Sequence, residues 1–222
     1  MRKLKQQIAE LLSRKDVGKA LFELKQLPAA RIINPLFSFL YAGDDLIKWR
    51  AVSAMGAVVS HLAATNMEPA RNIMRRLLWN MNDESGGIGW GSPEAMGDIM
   101  AESAPLAREY ACILVSYIDP NANFVEHEPL QQGVLWGIGR LSHARPEQLS
   151  ECAHLLNPFL ISPIPAHRGL AAWAAGPLKS EDTRHALETL IDDPATLSVY
   201  TDRNLETRTI KNLAQTALLQ FD

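Results

Sequence analysis

The chain has almost no cysteine, no long apolar run and little excess charge of either sign. Its two cysteines, Cys112 and Cys152, have no neighbouring Cys or His at ligand spacing, which excludes a disulfide framework and a Cys/His metal site. Apolar helical surroundings predict that both are buried thiols. Nowhere do about 18 apolar residues run together, so no membrane-spanning helix is expected. The start, MRKLKQQIAELLSRK, lacks the apolar stretch and cleavage site of a signal peptide, and a cytoplasmic protein without a membrane partner is the expectation. A net charge of −3 and a pI of about 6.1 supply no basic field for nucleic acid. Residues 1–31 are the exception, with eight Lys/Arg against three Asp/Glu, a pattern that reads as a solvated helix face. No Gly-x-Ser-x-Gly elbow, His-Glu-x-x-His helix or Cys–His pair is present, so the usual nucleophile and zinc chemistries have no constellation to work with. Neither a cofactor nor a metal is predicted.

What is abundant is helical periodicity. Apolar residues recur at three- and four-residue steps, as at Leu4, Ile8, Leu11 and Leu12, and no segment alternates as a strand should. Prolines and glycines such as Pro28, Gly43, Pro93, Pro120, Pro146, Pro163 and Pro165 fall between the periodic segments, where helices start and stop. The expected class is all-α, with eleven or twelve helices.

The helices repeat. Segments RAVSAMGAV at Arg50, GSPEAMGDI at Gly91, QQGVLWGIG at Gln131, RGLAAWAAG at Arg168 and RTIKNLAQT at Arg208 start 41, 40, 37 and 40 residues apart. Six residues into each stands Gly56, Gly97, Gly137, Ala174 or Ala214, and four residues in stands Ala54, Ala95, Leu135, Ala172 or Asn212. Small residues on one face let a neighbouring helix approach, as stacking of helical hairpins requires. Another amphipathic helix precedes each segment, over 29–42, 68–82, 104–118, 146–160 and 181–192. The run Arg168-Gly-Leu-Ala-Ala-Trp-Ala-Ala-Gly176 resembles the second helix of HEAT-like repeats, and the resemblance covers residues 28–222. It implies a right-handed α-solenoid of five hairpins forming one continuous domain, with residues 1–27 as a helical N-terminal cap.

Three features stand out against this repeat. The stretch NDESGGIGWGSP, residues 82–93, holds four of the 13 glycines and one of the five tryptophans. It lacks the Gly-Lys-Ser/Thr of a P-loop and the strand before a dinucleotide fingerprint. It is therefore an enlarged turn inside the second hairpin, with Ser92 as N-cap and Pro93 as first helical residue. Trp90 either packs over the hairpin end or is displayed with Asp83 and Glu84 to a partner. Next, Met55, Met96, Trp136, Trp173 and Leu213 share one offset, five residues into each segment, and form a column along the inner helices. If exposed, the column is an adaptable apolar groove edged by Arg140 and His143; if not, it is core. Last, Glu94, Asp98 and Glu102 lie four apart on one helix face and read as a solvated acidic ridge, with a metal ion or the basic segment of a second copy as the other ways to neutralise it.

These features predict a non-catalytic HEAT-repeat scaffold that binds a protein partner through its concave face and the 83–94 loop, with Trp90, Asp83, Glu84, Met55, Met96, Trp136, Trp173 and Arg140 as contact residues; a homodimer is the other assembly considered. The one competing enzyme reading is a resemblance to HEAT-like alkylpurine DNA glycosylases, carried by Trp79 and Asp83 four residues apart. It implies catalysis by Asp83 beside Trp79, and the acidic body of the chain opposes it. The alanine-rich second helices also resemble those of HEAT-like phycobilin lyases, a likeness of packing that implies no chemistry.

Overall fold

The computed structural model describes residues 2–82 and 89–221. Its first helices are α1 (Arg2–Leu12), α2 (Val17–Lys25), α3 (Ala29–Phe39), α4 (Asp45–Thr65), α5 (Met67–Met81) and α6 (Ser92–Glu102). They continue with α7 (Ala104–Ser116), α8 (Glu128–Ala144), α9 (Asn157–Leu160), α10 (Pro165–Ala175), α11 (Glu181–Glu188) and α12 (Ile210–Leu218). The inner helices α4, α6, α8, α10 and α12 pack each on the next, and α3, α5, α7, α9 and α11 lie behind them. The chain is an α-solenoid. One apolar core runs through it from Ile8 to Ala217, and α1 and α2 join that core by packing on α3 and α4.

The starts of the inner helices follow from local chemistry. Asp44 accepts the Ile47 amide at 2.9 Å and Thr209 accepts the Asn212 amide at 3.1 Å, so two first turns are capped by side chains. Pro93, Pro129 and Pro165 stand in the first turns of α6, α8 and α10, where a missing N–H leaves nothing unpaired. Capping of α6 differs from the expectation by one residue. Gly91, at φ 74°, is the cap, and the Ser92 hydroxyl is buried without a hydrogen-bond partner. A side chain at Gly91 would meet the Leu40 Cβ at 2.9 Å, which glycine alone avoids in this left-handed conformation.

The repeated small residues act where inner helices meet. A Cβ built on Gly97 would lie 2.4 Å from the Cα of Gly137, so α6 and α8 touch backbone to backbone there. The repeated arginines staple loops. Arg50 donates to the Leu12 carbonyl at 2.8 Å. Arg168 donates to the carbonyls of Ser162 and Pro163 and forms an ion pair with Asp193 at 2.7 Å.

Four expectations are corrected. Residues 146–160 are mostly 3-10 helix, over Pro146–Gln148 and Ser150–Leu156, followed by the single turn of α9. Pro158 cannot donate to the His154 carbonyl, and the Asn157 amide takes that role three residues on. The chain also contains a β-hairpin, β1 (Thr196–Thr201) paired antiparallel with β2 (Asn204–Thr209). Arg208 therefore lies in a strand beside Glu206 rather than at the head of a helix, and only α12 remains of the fifth second helix. Cys112 is exposed and Cys152 half-buried, since α7 turns Cys112 outward.

Candidate functional site: the concave cavity

The β-hairpin folds back across the concave face, and this sets the site. On α10, glycine at 169 leaves room for the Leu197 methyls of β1, 2.5 Å from where a Cβ would stand. Tyr200 reaches the first repeat: its hydroxyl lies 3.1 Å from the buried Ser53 hydroxyl, and its ring stacks on Trp49 with centroids 5.2 Å apart. The Trp136 indole donates to the Tyr200 carbonyl at 2.9 Å. Trp136 also meets Trp49 at 4.7 Å and Trp173 at 6.1 Å, and Trp173 in turn stacks on His143 at 5.0 Å. Five aromatic rings thus form one continuous wall from α4 to α10.

Between that wall, α2 and α12 lies a cavity of about 630 Å³, within the range of small-molecule sites. Trp136, Trp173, Tyr200 and His143 give it an aromatic side; Leu21 and Phe22 of α2 and Leu213 and Ala217 of α12 close it from the two ends of the chain. Phe22 is 61% exposed at its rim.

The polar side is organised by α6. Asp98 is only 6% exposed, and its carboxylate accepts Arg140 Nε at 2.7 Å. The space it occupies exists because residue 56 is glycine, whose Cβ would overlap the carboxylate. Burial pushes the Asp98 carboxyl up to about 6, against the opposing pull of Arg140. Arg140 also holds Glu102 at 3.0 Å. Desolvation against Trp173 lowers the His143 imidazole below its ordinary range. The acidic ridge is therefore a solvated face only at Glu102, which is exposed. Glu94 and Asp98 are buried and each faces a cation, Glu94 pairing with Lys48 at 3.2 Å, because α6 is an inner helix flanked by α4 and α8. Among the described residues no group of three or more His, Cys, Asp and Glu side chains is arranged to hold a metal ion.

The structure divides the contact residues expected from the sequence. Trp136, Trp173 and Arg140 meet at the cavity, with Leu213 and His143 beside them. Met55 and Met96 do not: both are fully buried between helices, so they present nothing to a partner. Trp90 is 39% exposed, packs edge-on against His127 at 5.8 Å and is absent from the cavity wall. Asp83 and Glu84 lie outside the described residues. Trp79 projects from α5, behind the inner layer, 73% exposed and away from the cavity. Sequence reasoning missed Tyr200, Ser53 and Arg203. The signal for the first was Leu197 and Val199 buried between exposed Thr196 and Ser198, an alternation ended by a turn that carries no glycine.

Among comparisons with known proteins, the solved structures bear on the fold. No family model matches the chain. An uncharacterized protein of Archaeoglobus fulgidus is 30% identical over 107 residues, covering 48% of this chain, and the chain spans about half the length of that curated relative, 52%. Among solved structures, a designed armadillo repeat protein in complex with the peptide (KR)4 has a TM-score of 0.54 at 18% identity, covering 97% of this chain and 98% of that one. A second designed armadillo repeat protein has a TM-score of 0.53 at 16% identity, covering 97% and 99%. An engineered protein has a TM-score of 0.54 at 14% identity, covering 98% and 96%. The chain has the armadillo/HEAT-like α-solenoid fold. Among the described residues no helix is long and apolar enough to cross a membrane.

Proposed function

We propose that the protein is a non-catalytic binding module of the cytoplasm that receives a compact group of a protein partner in its concave cavity. The observation that carries this reading is the aromatic wall of Trp136, Trp173 and Tyr200 facing about 630 Å³ of open space between the two ends of the solenoid. The half-buried ring of Trp173, backed by the buried rings of Trp136 and Tyr200, is suited to an inserted apolar group beside a space of that size. The hairpin occupies the rest of the concave face, so the accepted group is short. The solved complex of a designed armadillo repeat protein with a peptide supports a polypeptide partner for this fold. Trp90 stands apart from the cavity, and the 83–94 loop is left out of the reading.

The test is capture of partners from a lysate by the full chain and by Ala57→Phe, which fills the cavity from α4. Partners held by the wild type and lost by the variant, with folding unchanged by circular dichroism, are the expected result. Equal capture by both places binding elsewhere and defeats the reading. The glycosylase alternative has no support from the cavity, because Trp79 is on the other side of the inner layer.

A further inference from the structure

One edge of the β-hairpin is taken and the other is open. The Ile210 amide donates to the Ala195 carbonyl at 2.9 Å, and hydrogen-bonded pairs recur at every second residue of an antiparallel ladder. The main chain of Asn204, Glu206 and Arg208 therefore bonds β1, while the N–H and C=O groups of Leu205 and Thr207 point away from it. The same parity turns the Tyr200 carbonyl outward on β1, where the Trp136 indole occupies it. Among the described residues nothing bonds the outward groups of Leu205 and Thr207. Asn204 and Thr207 are exposed and Leu205 is half-buried, so this edge can be reached from solvent.

The usual protections of an edge strand are missing from β2. Edges are commonly blunted by proline, by a bulge, or by charged side chains that repel an incoming strand. β2 contains no proline, its register with β1 runs unbroken from Thr209 to Asn204, and its two charges, Glu206 and Arg208, are of opposite sign. The hairpin is also held in place before any partner arrives. Tyr200 is anchored on Ser53, and Arg203 at the tip sits beside α2, with Nη1 3.2 Å from where a Gly18 Cβ would stand. A strand fixed in advance loses little freedom on pairing.

Glu206 and Arg208 stand one residue to each side of Thr207 on the same face of the sheet, with side chains 43% and 35% exposed. A second β2 laid antiparallel along the open edge and centred on Thr207 exchanges both main-chain bonds between the two Thr207 residues. It also sets each Glu206 opposite Arg208 of the other copy. These pairs are of the non-hydrogen-bonded kind, whose Cα atoms stand about 4.5 Å apart and whose side chains interact most closely. Moving the centre by one residue either way sets Glu206 against Glu206 or Arg208 against Arg208, which repel. The sequence of β2 is thus complementary to itself in the register centred on Thr207.

We infer that the open edge of β2 is an interface with a second copy of this chain: two copies pair about a two-fold axis at Thr207 and join their hairpins into one four-stranded sheet. This goes beyond the cavity reading and does not depend on what the cavity holds.

Sedimentation velocity of the full chain over a concentration series tests it, and the mass is expected to rise from 24.6 kDa toward twice that value. Thr207→Pro removes the outward N–H and leaves the ladder to β1 intact, as proline is tolerated on an open edge, and is expected to keep the chain monomeric. Arg208→Glu and Glu206→Arg each turn attraction into repulsion and are each expected to weaken dimerisation by about tenfold or more. Mixed together, these two single variants are complementary again and are expected to associate with each other. A wild type that stays monomeric overturns the inference, and loss of a captured partner on Thr207→Pro would then give the edge to an extended segment of another protein. A dimer that survives both charge variants, or variants that fail to associate when mixed, overturns it as well, and neither outcome needs Thr207→Pro to fold.

Discussion

Trp136 and Tyr200 are 64 residues apart in sequence, and the indole N–H of the first donates to the backbone carbonyl of the second at 2.9 Å inside the protein. That bond fixes the β-hairpin on α8, and with the Tyr200–Ser53 contact it spans the concave face from the first repeat to the last. The hairpin is thereby part of the wall of the site and not an ornament on the final repeat.

Trp136→Phe keeps a ring in the wall and removes the donor. Leaving the buried Tyr200 carbonyl short of its partner is expected to destabilise the protein by about 1–3 kcal/mol in urea unfolding. Amide exchange is expected to accelerate first at Val199 and Tyr200, with α5 and α7 unaffected. Uniform acceleration along the chain would show that the hairpin is not anchored by this bond.

Asp98 makes stability depend on pH in an unusual direction for a carboxylate. Its folded pKa of about 6 lies above the ordinary value of 3.8. Its stabilising contribution is therefore present below about pH 4 and lost as pH rises through 6, a swing of about 3 kcal/mol at 1.36 kcal/mol per unit. Asp98→Asn removes the titration. The variant is expected to gain stability relative to the wild type at pH 8 compared with pH 4.5, while the exposed carboxylates Glu68 and Glu109 cancel in the difference. A constant difference across that interval would mean that Asp98 titrates normally.

Gly137→Ala is expected to destabilise by about 1–3 kcal/mol or more, because its Cβ would stand 2.6 Å from the Pro93 carbonyl oxygen, a backbone atom that cannot step aside. Gly43→Ala is the control: nothing lies within 4 Å of the added carbon, and the lost backbone freedom of the unfolded chain makes the change neutral or slightly stabilising. Thermal melts of the two variants should diverge in sign or by several degrees.

Arg168→Lys keeps the charge and loses the fork. The guanidinium bonds Asp193 and two carbonyls at once, at residues 162 and 163, which a single ammonium cannot reproduce in place. A loss of about 1–2 kcal/mol is expected in urea unfolding, without any change in the partner capture that reads the cavity. Loss of capture with full stability would instead give Arg168 a role in the site.

The repeat was legible because stacking imposes a rule that every unit obeys. The spacing of Gly56, Gly97, Gly137, Ala174 and Ala214 places small residues wherever inner helices cross, and the arginines at 50 and 168 mark the loops they staple. The site was legible only in part. An equal offset puts Met55, Met96, Trp136 and Trp173 on equivalent positions, but curvature and the hairpin decide which are covered, and the two methionines are buried while the tryptophans reach the cavity. Glu94 and Asp98 show the same limit: four-residue spacing places them on one face, and only the packing of α4 and α8 tells that the face is buried.

The sequence by itself determined the helical class, the period near 40 residues and the small-residue seams, because these depend on contacts between neighbouring units whose pattern is written locally. Tertiary structure alone decided that Thr196–Thr209 forms a hairpin, that it returns across the concave face to Ser53, and that Arg203 meets α2 at a cavity. The last two relationships join residues 147 and more apart, where no period or propensity carries information, and they were set by which apolar and hydrogen-bonding surfaces remained unburied once the solenoid had stacked.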